Sequence, residues 1–368
     1  MRNVLICTVG TSLIGNIEKS DDLKLKELIR NKNVKGLTLA LADLNPSDRM
    51  TGAEINSIAS ILDKKILDER AYLYLLVSDT EDGEFIGNVL KGYFERKQNP
   101  LAFEKVIVRR ITGLMDESPK RFRSEGLRNL VREIAQIVRT HDSSSILINA
   151  TGGYKAQISF AGMIGQALEI PVCYLFERFS EVIELPPQPI SLDMAFWLSN
   201  ASLFYDLAGE GIDSDPSETE PRFSSLMETI EEDGQKLTSL SATGQLFHET
   251  FLHLFEKQRA MLLPPDSGLA PEDKIIKFED QNARKHKGLK EYLNKIRQVS
   301  YVIRIYTHYY NPDLPLKNYF RLPKDGDVSK IEGGYGDGKR TTKFEIVTTA
   351  KRADQRNAAI ADLYSTIG

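Results

Sequence analysis

The fold class this sequence predicts is α/β: an N-terminal doubly wound parallel sheet, a small middle module, and a C-terminal α+β domain. Three observations carry the expectation. Over residues 1 to about 185, short apolar runs alternate with longer helical patterns, the rhythm of parallel strands wound with helices. Beyond Pro186-Pro187-Gln188-Pro189 that alternation stops. A second Pro- and Gly-rich break, Leu262-Leu263-Pro264-Pro265-Asp266-Ser267-Gly268, separates off a basic C-terminal segment. With 368 residues, 41% of them hydrophobic, the chain can fill two or three ordinary cores. The expected divisions are 1–188, 189–268 and 269–368.

Taken in order, the N-terminal strands are expected at 4–7, 37–42, 71–77, 106–108, 146–149 and 172–176. Ligands on such sheets bind beyond the strand carboxyl ends, where strand order reverses. Residues 8–12, Ser78-Asp79-Thr80, 109–113 and 151–155 should therefore share one edge. Thr8-Val9-Gly10-Thr11-Ser12 follows the first strand, and Thr151-Gly152-Gly153-Tyr154-Lys155 lies between Ile146-Leu147-Ile148 and a small-residue helical segment, 156–168. Strand, glycine turn and helix start present backbone N–H groups and a lysine to a phosphate. Neither loop ends in Gly-Lys-Ser/Thr and neither reads Gly-x-Gly-x-x-Gly, which sets ATPase and dehydrogenase readings aside. The pair suggests a phosphate-rich ligand.

In the middle module, helices are expected over 193–207 and 223–230 around an acidic loop, 210–220. A short strand at 235–240, a turn at Thr243-Gly244 and a helix over 246–255 then make a winged-helix connector. The last domain should open with a strand at 274–278 and continue with one or two basic helices over 281–305. Strands at 329–332 and 343–349 flank the expected turn Gly333-Gly334-Tyr335-Gly336-Asp337-Gly338.

Charge is distributed unevenly. The chain carries −4 in total, but residues 277–368 hold 18 Lys/Arg against 11 Asp/Glu, leaving that end at +7, a hint of nucleic-acid contact. Cys7 and Cys173 both sit in apolar runs and read as buried free thiols, not as a disulfide or metal framework. Five His without paired spacing argue against zinc. No run approaches the roughly 18 apolar residues of a membrane span, and Met1-Arg2-Asn3 leads straight into a strand. The expected location is the cytoplasm.

The paired motifs Thr8-Val9-Gly10-Thr11-Ser12 and Thr151-Gly152-Gly153-Tyr154-Lys155 resemble the CRISPR-associated Rossmann fold, the CARF sensor family, over about half the chain. That resemblance implies a homodimer binding cyclic oligoadenylate, the messenger of type III CRISPR immunity, across a two-fold axis. Gly10, Thr11 and Ser12 would contact phosphate or ribose from one loop, and Thr151, Gly152, Gly153, Tyr154 and Lys155 from the other, with Ser78 nearby. A cyclic ligand with repeated phosphates suits a symmetric site floored by N–H groups and two copies of one lysine. Ser12, Tyr154 and Lys155 are also the residues to examine for ring-nuclease activity.

CARF sensors are joined to several outputs. A HEPN ribonuclease needs Arg, four to six residues, then His, but Arg304 and His308 are separated by three and Arg284 and His286 by one. The stretch Gly244-Gln245-Leu246-Phe247-His248-Glu249 could imitate the first helix of a restriction-type nuclease, without an acidic strand to complete it. The last domain is similar to a RelE-type mRNA interferase: a leading strand, a helix over 282–296, and a final strand ending in Lys351-Arg352. The whole then resembles the CRISPR-associated mRNA interferases, which cut mRNA in the ribosomal A site when cyclic tetra-adenylate binds as activator. mRNA and the ribosome are the implied partners, with no cofactor and no membrane.

Cutting RNA without metal needs a base for the 2′-hydroxyl proton and cations for the charge that builds on phosphate. The candidates are Lys330, Tyr335, Lys339, Arg340, Lys343, Lys351 and Arg352. Arg340 and Lys343 are read as phosphate clamps, Lys339 as the base and Lys351 or Arg352 as a further clamp, with His308 the alternative acid or base, beside Tyr309 and Tyr310 at a helix end. Lys285, His286 and Lys287 are expected to meet RNA backbone. A competing reading is a DNA-binding transcription regulator acting through the winged helix.

Overall fold

Strand β1 (Val4–Thr8) is buried along its whole length, as a parallel strand covered by helices on both faces must be. Its alternate residues feed separate cores, Leu5 and Cys7 one and Val4 and Ile6 the other. A computed structural model describes residues 1–176, 181–188, 193–209, 211–218, 220–232 and 235–368. The chain forms two compact units, Met1–Ser191 with Pro216–Glu228 and Leu240–Thr250, and Leu192–Asp215 with Thr229–Ser239 and Phe251–Gly368.

In the first unit, β1 pairs in parallel with β2 (Tyr72–Val77) on one side and β4 (Ile146–Asn149) on the other. Strands β3 (Lys105–Arg110), β5 (Val172–Tyr174) and an antiparallel β6 (Ile183–Leu185) complete the order β3-β2-β1-β4-β5-β6. The order reverses between β1 and β4. Helices α1 (Ser12–Glu18), α2 (Leu23–Arg30), α3 (Val34–Ala42), α4 (Gly52–Asp63) and α5 (Glu81–Glu95) cover one face. A single turn, α6 (Pro119–Arg121), leads through a π turn at Phe122–Gly126 into α7 (Leu127–His141), which covers the other face with α8 (Lys155–Ala167). The sheet is doubly wound, as expected.

Residues 37–42, expected as a strand, belong instead to α3. The Asn33 side chain accepts a bond from Gly36 N at 2.9 Å, capping the helix. Leu37 and Leu41, one turn apart, are both buried. A six-residue apolar run has no period that separates strand from buried helix.

The helix expected over 193–207 is present as α9 (Met194–Ser199) and α10 (Ala201–Ala208). That expected over 223–230 is not: a 3-10 turn, Pro221–Ser225, gives way to β7 (Met227–Glu232), paired with β8 (Gln235–Leu240). Thr229 and Thr238 meet across the two strands, hydroxyl to hydroxyl at 3.3 Å, a pair suited to a sheet. Helix α11 (Ala242–Leu262) is longer than expected. Residues 189–268 are thus shared between the two units rather than gathered in one module. Pro189 and positions 210 and 219 of the acidic loop lie outside the described residues.

The second unit is built on a five-stranded sheet, order β11-β12-β13-β10-β9, from β9 (Ile275–Phe278), β10 (Val302–Asn311), β11 (Tyr319–Arg321), β12 (Lys330–Gly336) and β13 (Thr341–Thr348). Only β9 and β10 pair in parallel. Helices α12 (Leu289–Arg297) and α13 (Ala353–Thr366) bring Leu293, Ile296, Ile360 and Leu363 onto Ile305, Phe344 and Ile346 of one sheet face. Residues 281–305, expected as basic helices, supply only a 3-10 turn and α12 before β10 begins. The β-branched and aromatic content of β10 favours the strand. His308, Tyr309 and Tyr310 therefore stand on a strand and not at a helix end.

The expected glycine turn is also mostly strand, since Gly333, Gly334 and Gly336 lie in β12. A Cβ on Gly333 would stand 2.3 Å from the Phe344 ring, and one on Gly334 2.1 Å from that of Tyr319. These glycines let rings lie on the strand. Cys7 and Cys173 are free and buried, as read from the sequence. No described helix is long and apolar enough to cross a membrane.

Candidate functional site

Two loops leave the sheet side by side where its order reverses, because Cys7 of β1 pairs with Asn149 of β4. Their backbones nearly touch: a Cβ on Gly10 would stand 2.6 Å from Gly153 N, and Gly153 takes a φ of +102° that favours glycine. The Thr8 hydroxyl donates to Gly152 O at 2.6 Å and ties one loop to the other. Asn149, fully buried, donates to Ser57 Oγ at 2.8 Å and accepts from Thr151 Oγ1 at 2.6 Å. Thr151 Oγ1 in turn accepts from Leu175 N at 3.0 Å. The Thr151 hydroxyl is a bracket within the fold.

Beneath both loops lies Glu54, from the first turn of α4. It is fully buried, and its Oε1 accepts a bond from Gly10 N at 2.7 Å. Burial pushes its carboxyl up to about 7. Sequence reading missed this residue, since a lone Glu at a helix start resembles an ordinary first-turn acid.

The outward groups are the exposed Thr11, Ser12 and Lys155, with Gly10, Gly153 and Tyr154 half-buried. Lys155 opens the 13-residue α8, so its ammonium and the N–H groups of that first turn occupy one end. The Tyr154 ring packs edge-on against Phe122 at 5.2 Å; burial and then Asp116 push its phenol up. Ser78 is buried and bonds Thr80 Oγ1 at 2.8 Å, and Thr80 caps α5 through Gly83 N. Ser78 thus serves the cap. Asp79 grips Gly113 N at 2.9 Å and Arg110 at 2.6 Å, and the Gly113 amide is the first cause of its lowered pKa.

The second unit presents another surface. On the sheet face away from α12 and α13, Tyr306 pairs with Glu345, and Tyr309 with Lys343. Lys277 and Arg304 lie over the Tyr306 ring at 5.8 and 5.4 Å, and Lys343 over Tyr309 at 5.3 Å. A trough of about 460 Å³ is lined by Lys277, Glu279, Tyr306, His308 and Glu345. Lys277 pairs with Glu279 and Lys330 with Glu345, each at 3.2 Å. A bulge skips His308 in the β10–β13 ladder, a device that re-aims a side chain. Among the described residues, no side-chain hydrogen bond or ion pair reaches the exposed His308. Cations, stacking rings, an imidazole and a carboxylate together suit phosphate and unstacked bases.

Of the basic candidates, only Lys330 and Lys343 lie on this face. Arg340 is held in the β12–β13 turn by Asp337, at 2.7 Å; Asp337 also accepts from Arg340 N and Lys339 N. These contacts, the Arg340 amide first, hold the Asp337 carboxyl far below the usual range. Lys339 is exposed on that turn. Tyr335 faces inward, its hydroxyl donating to Lys287 O at 3.2 Å and its ring 4.9 Å from both His286 and Tyr292. Lys351 and Arg352 follow the far end of β13, roughly 25 Å along the chain from Lys343 at strand rise, and Arg352 pairs with Asp354 at 2.9 Å. The expected catalytic set is therefore not one cluster.

His286 corrects another expectation. It is buried, its Nδ1 2.8 Å from Thr342 Oγ1 and its Nε2 3.5 Å from Asp337, so the ring cannot meet an RNA backbone. Its basic neighbours Arg284, Lys285 and Lys287 gave no hint of this. Lys285 and Lys287 are exposed. His248 and Glu249 are also buried; Glu249 pairs with Arg139 of α7 at 2.5 Å, and burial pushes His248 down to about 3. That motif is helix packing. Lys277, Tyr306 and Glu345 went unnoticed, and Arg304 was weighed only as a HEPN arginine, because strand register, not spacing, brings the four together.

Residues 49–188 match the model of a family described as CRISPR-associated protein (Cas_APE2256). No curated protein matches. Among solved structures, the chain is similar to Can2 from Sulfobacillus thermosulfidooxidans in complex with cyclic tetra-adenylate, at 12% identity and a TM-score of 0.25, over 73% of this chain and 71% of that one. It is also similar to protein VC1899 from Vibrio cholerae, at 9% identity and a TM-score of 0.24, over 94% of this chain and 77% of that one.

Proposed function

We propose that this protein is a type III CRISPR effector, in which a CARF-type N-terminal sensor, paired as a homodimer, binds cyclic oligoadenylate and activates an endoribonuclease in the C-terminal unit. One observation carries the sensor reading: two strand-end loops, locked together where strand order reverses, leave Thr11, Ser12 and Lys155 as outward groups. The CRISPR-associated family match supports it, since residues 49–188 include Lys155 and Glu54. Cyclic tetra-adenylate is the proposed activator, its phosphates taken by Lys155 and the first-turn amides of α8.

The RNA-cutting surface is the open face of the second sheet. Cleavage there transfers the 2′-hydroxyl proton to a base, joins the 2′ oxygen to phosphorus and releases the 5′ oxygen, which takes a proton from an acid. His308 and Glu345 are the proton-handling groups in the trough, Lys277 and Lys343 hold the phosphate, and Tyr306 and Tyr309 receive bases. Messenger RNA on the ribosome, cut in the manner of a RelE-type interferase, is the substrate this reading assigns.

Titration calorimetry of the full chain with cyclic tetra-adenylate tests the sensor. Saturable binding at one ring per two chains is expected, weakened at least tenfold by Lys155→Ala. No binding, or binding indifferent to that substitution, overturns the reading.

A further inference from the structure

Glu54 is fully buried at the foot of both loops. Its Oε1 holds Gly10 N at 2.7 Å, and a Cβ on Gly152 would stand 2.0 Å from the same oxygen. One carboxyl group thus sets how closely both ligand loops approach. Its second oxygen, Oε2, is buried without a hydrogen-bond partner. No ion pair reaches Glu54 among the described residues. The titratable group facing it is the Cys7 thiol of β1, itself pushed up by burial and then by Glu54; nearby Ser57 and Asn149 are neutral. A charged carboxylate in that setting would lack both a cation and a full set of donors.

We infer that Glu54 is the protonated floor of the ligand site, a positioning residue whose proton is retained when an anionic ligand binds above it. The inference rests on the proposed sensor reading for its ligand and on this geometry alone for the proton. The anion would oppose a negative charge at Glu54, so binding above neutral pH is accompanied by proton uptake, and affinity falls as pH rises through about 7, where burial places this carboxyl.

The sign for stability runs the same way. With the folded carboxyl raised from 4.5 to about 7, its contribution is fully present below pH 4.5 and is lost as pH rises through 7.

The test compares wild type with Glu54→Gln, which is neutral at every pH and keeps an oxygen for Gly10 N. Between pH 6.5 and 8.5 the Kd of the wild type for cyclic tetra-adenylate should rise about 20-fold, while that of the variant stays flat. Glu54→Ala should bind weakly throughout. Thermal melts without ligand decide the proton independently: from pH 5 to 8 the wild-type midpoint should fall relative to that of Glu54→Gln. Parallel melting profiles overturn the inference whatever the ligand does. Absence of ligand binding with diverging melts would instead refute the sensor reading and leave the buried proton in place. Equal pH dependence of Kd in both proteins refutes the ligand linkage.

Discussion

Replacing Gly152 by Ala tests the close approach of the two loops. The new Cβ would stand 2.0 Å from Glu54 Oε1, 2.9 Å from Glu54 Cδ and 2.9 Å from Thr8 O. Neither the Thr8 carbonyl nor the fully buried Glu54 has open space to move into. Overpacking of this kind costs about 1–3 kcal/mol, and displacing Glu54 from Gly10 N adds about 1 kcal/mol for the weakened bond. The expected total is about 2–4 kcal/mol. Trp197 is the single tryptophan and belongs to the other unit, so amide hydrogen exchange in β1 and β4 is the appropriate readout. Their protection should fall at least roughly 30-fold, since each 1.4 kcal/mol is a factor of ten. Gly162→Ala is the control: nothing lies within 4 Å of its Cβ position inside α8, and alanine should add about 0.5–1 kcal/mol there. Unchanged protection in Gly152→Ala would refute the packing argument.

Asp362→Ala should destabilise the second unit by about 2 kcal/mol, read as an earlier urea transition in Trp197 fluorescence. The buried Asp362 accepts from Arg259 Nε at 2.5 Å and from Tyr301 Oη at 2.8 Å; both bonds would be lost, leaving the Tyr301 hydroxyl only the Ala359 carbonyl at 3.2 Å. His308→Ala should reduce ligand-activated RNA cleavage by about 100-fold or more, the range of a lost proton-transfer group. Its binding of cyclic tetra-adenylate should be unaffected, and retained cleavage would remove His308 from the mechanism.

The first sheet was legible because its central strands are continuous apolar runs ending in glycine-bearing polar loops. Five of the six expected strands are strands, and residues 37–42 failed because Asn33 caps a helix through an apolar run that reads equally well as strand. The paired loops were legible for the same reason: glycine is demanded where Gly10 meets Gly153. Glu54 was hidden, since nothing local marks a carboxylate as lying under loops 44 and 98 residues away. In the second sheet, strand pairing decides which side chains share a face. Lys343 meets Tyr309 and Glu345 meets Tyr306 only through a register with a bulge at His308. Lys339, Arg340, Lys351 and Arg352 look alike in sequence but stand at opposite ends of β13, and two of them are already paired with Asp337 and Asp354.

Ligand-activated cleavage is tested by mRNA integrity in a translation extract supplied with purified protein, with and without cyclic tetra-adenylate, comparing ribosome-bound mRNA with free RNA. Cuts that require the ligand and fall on ribosome-bound mRNA are expected. Intact mRNA under both conditions, with the ligand shown to bind, would contradict it.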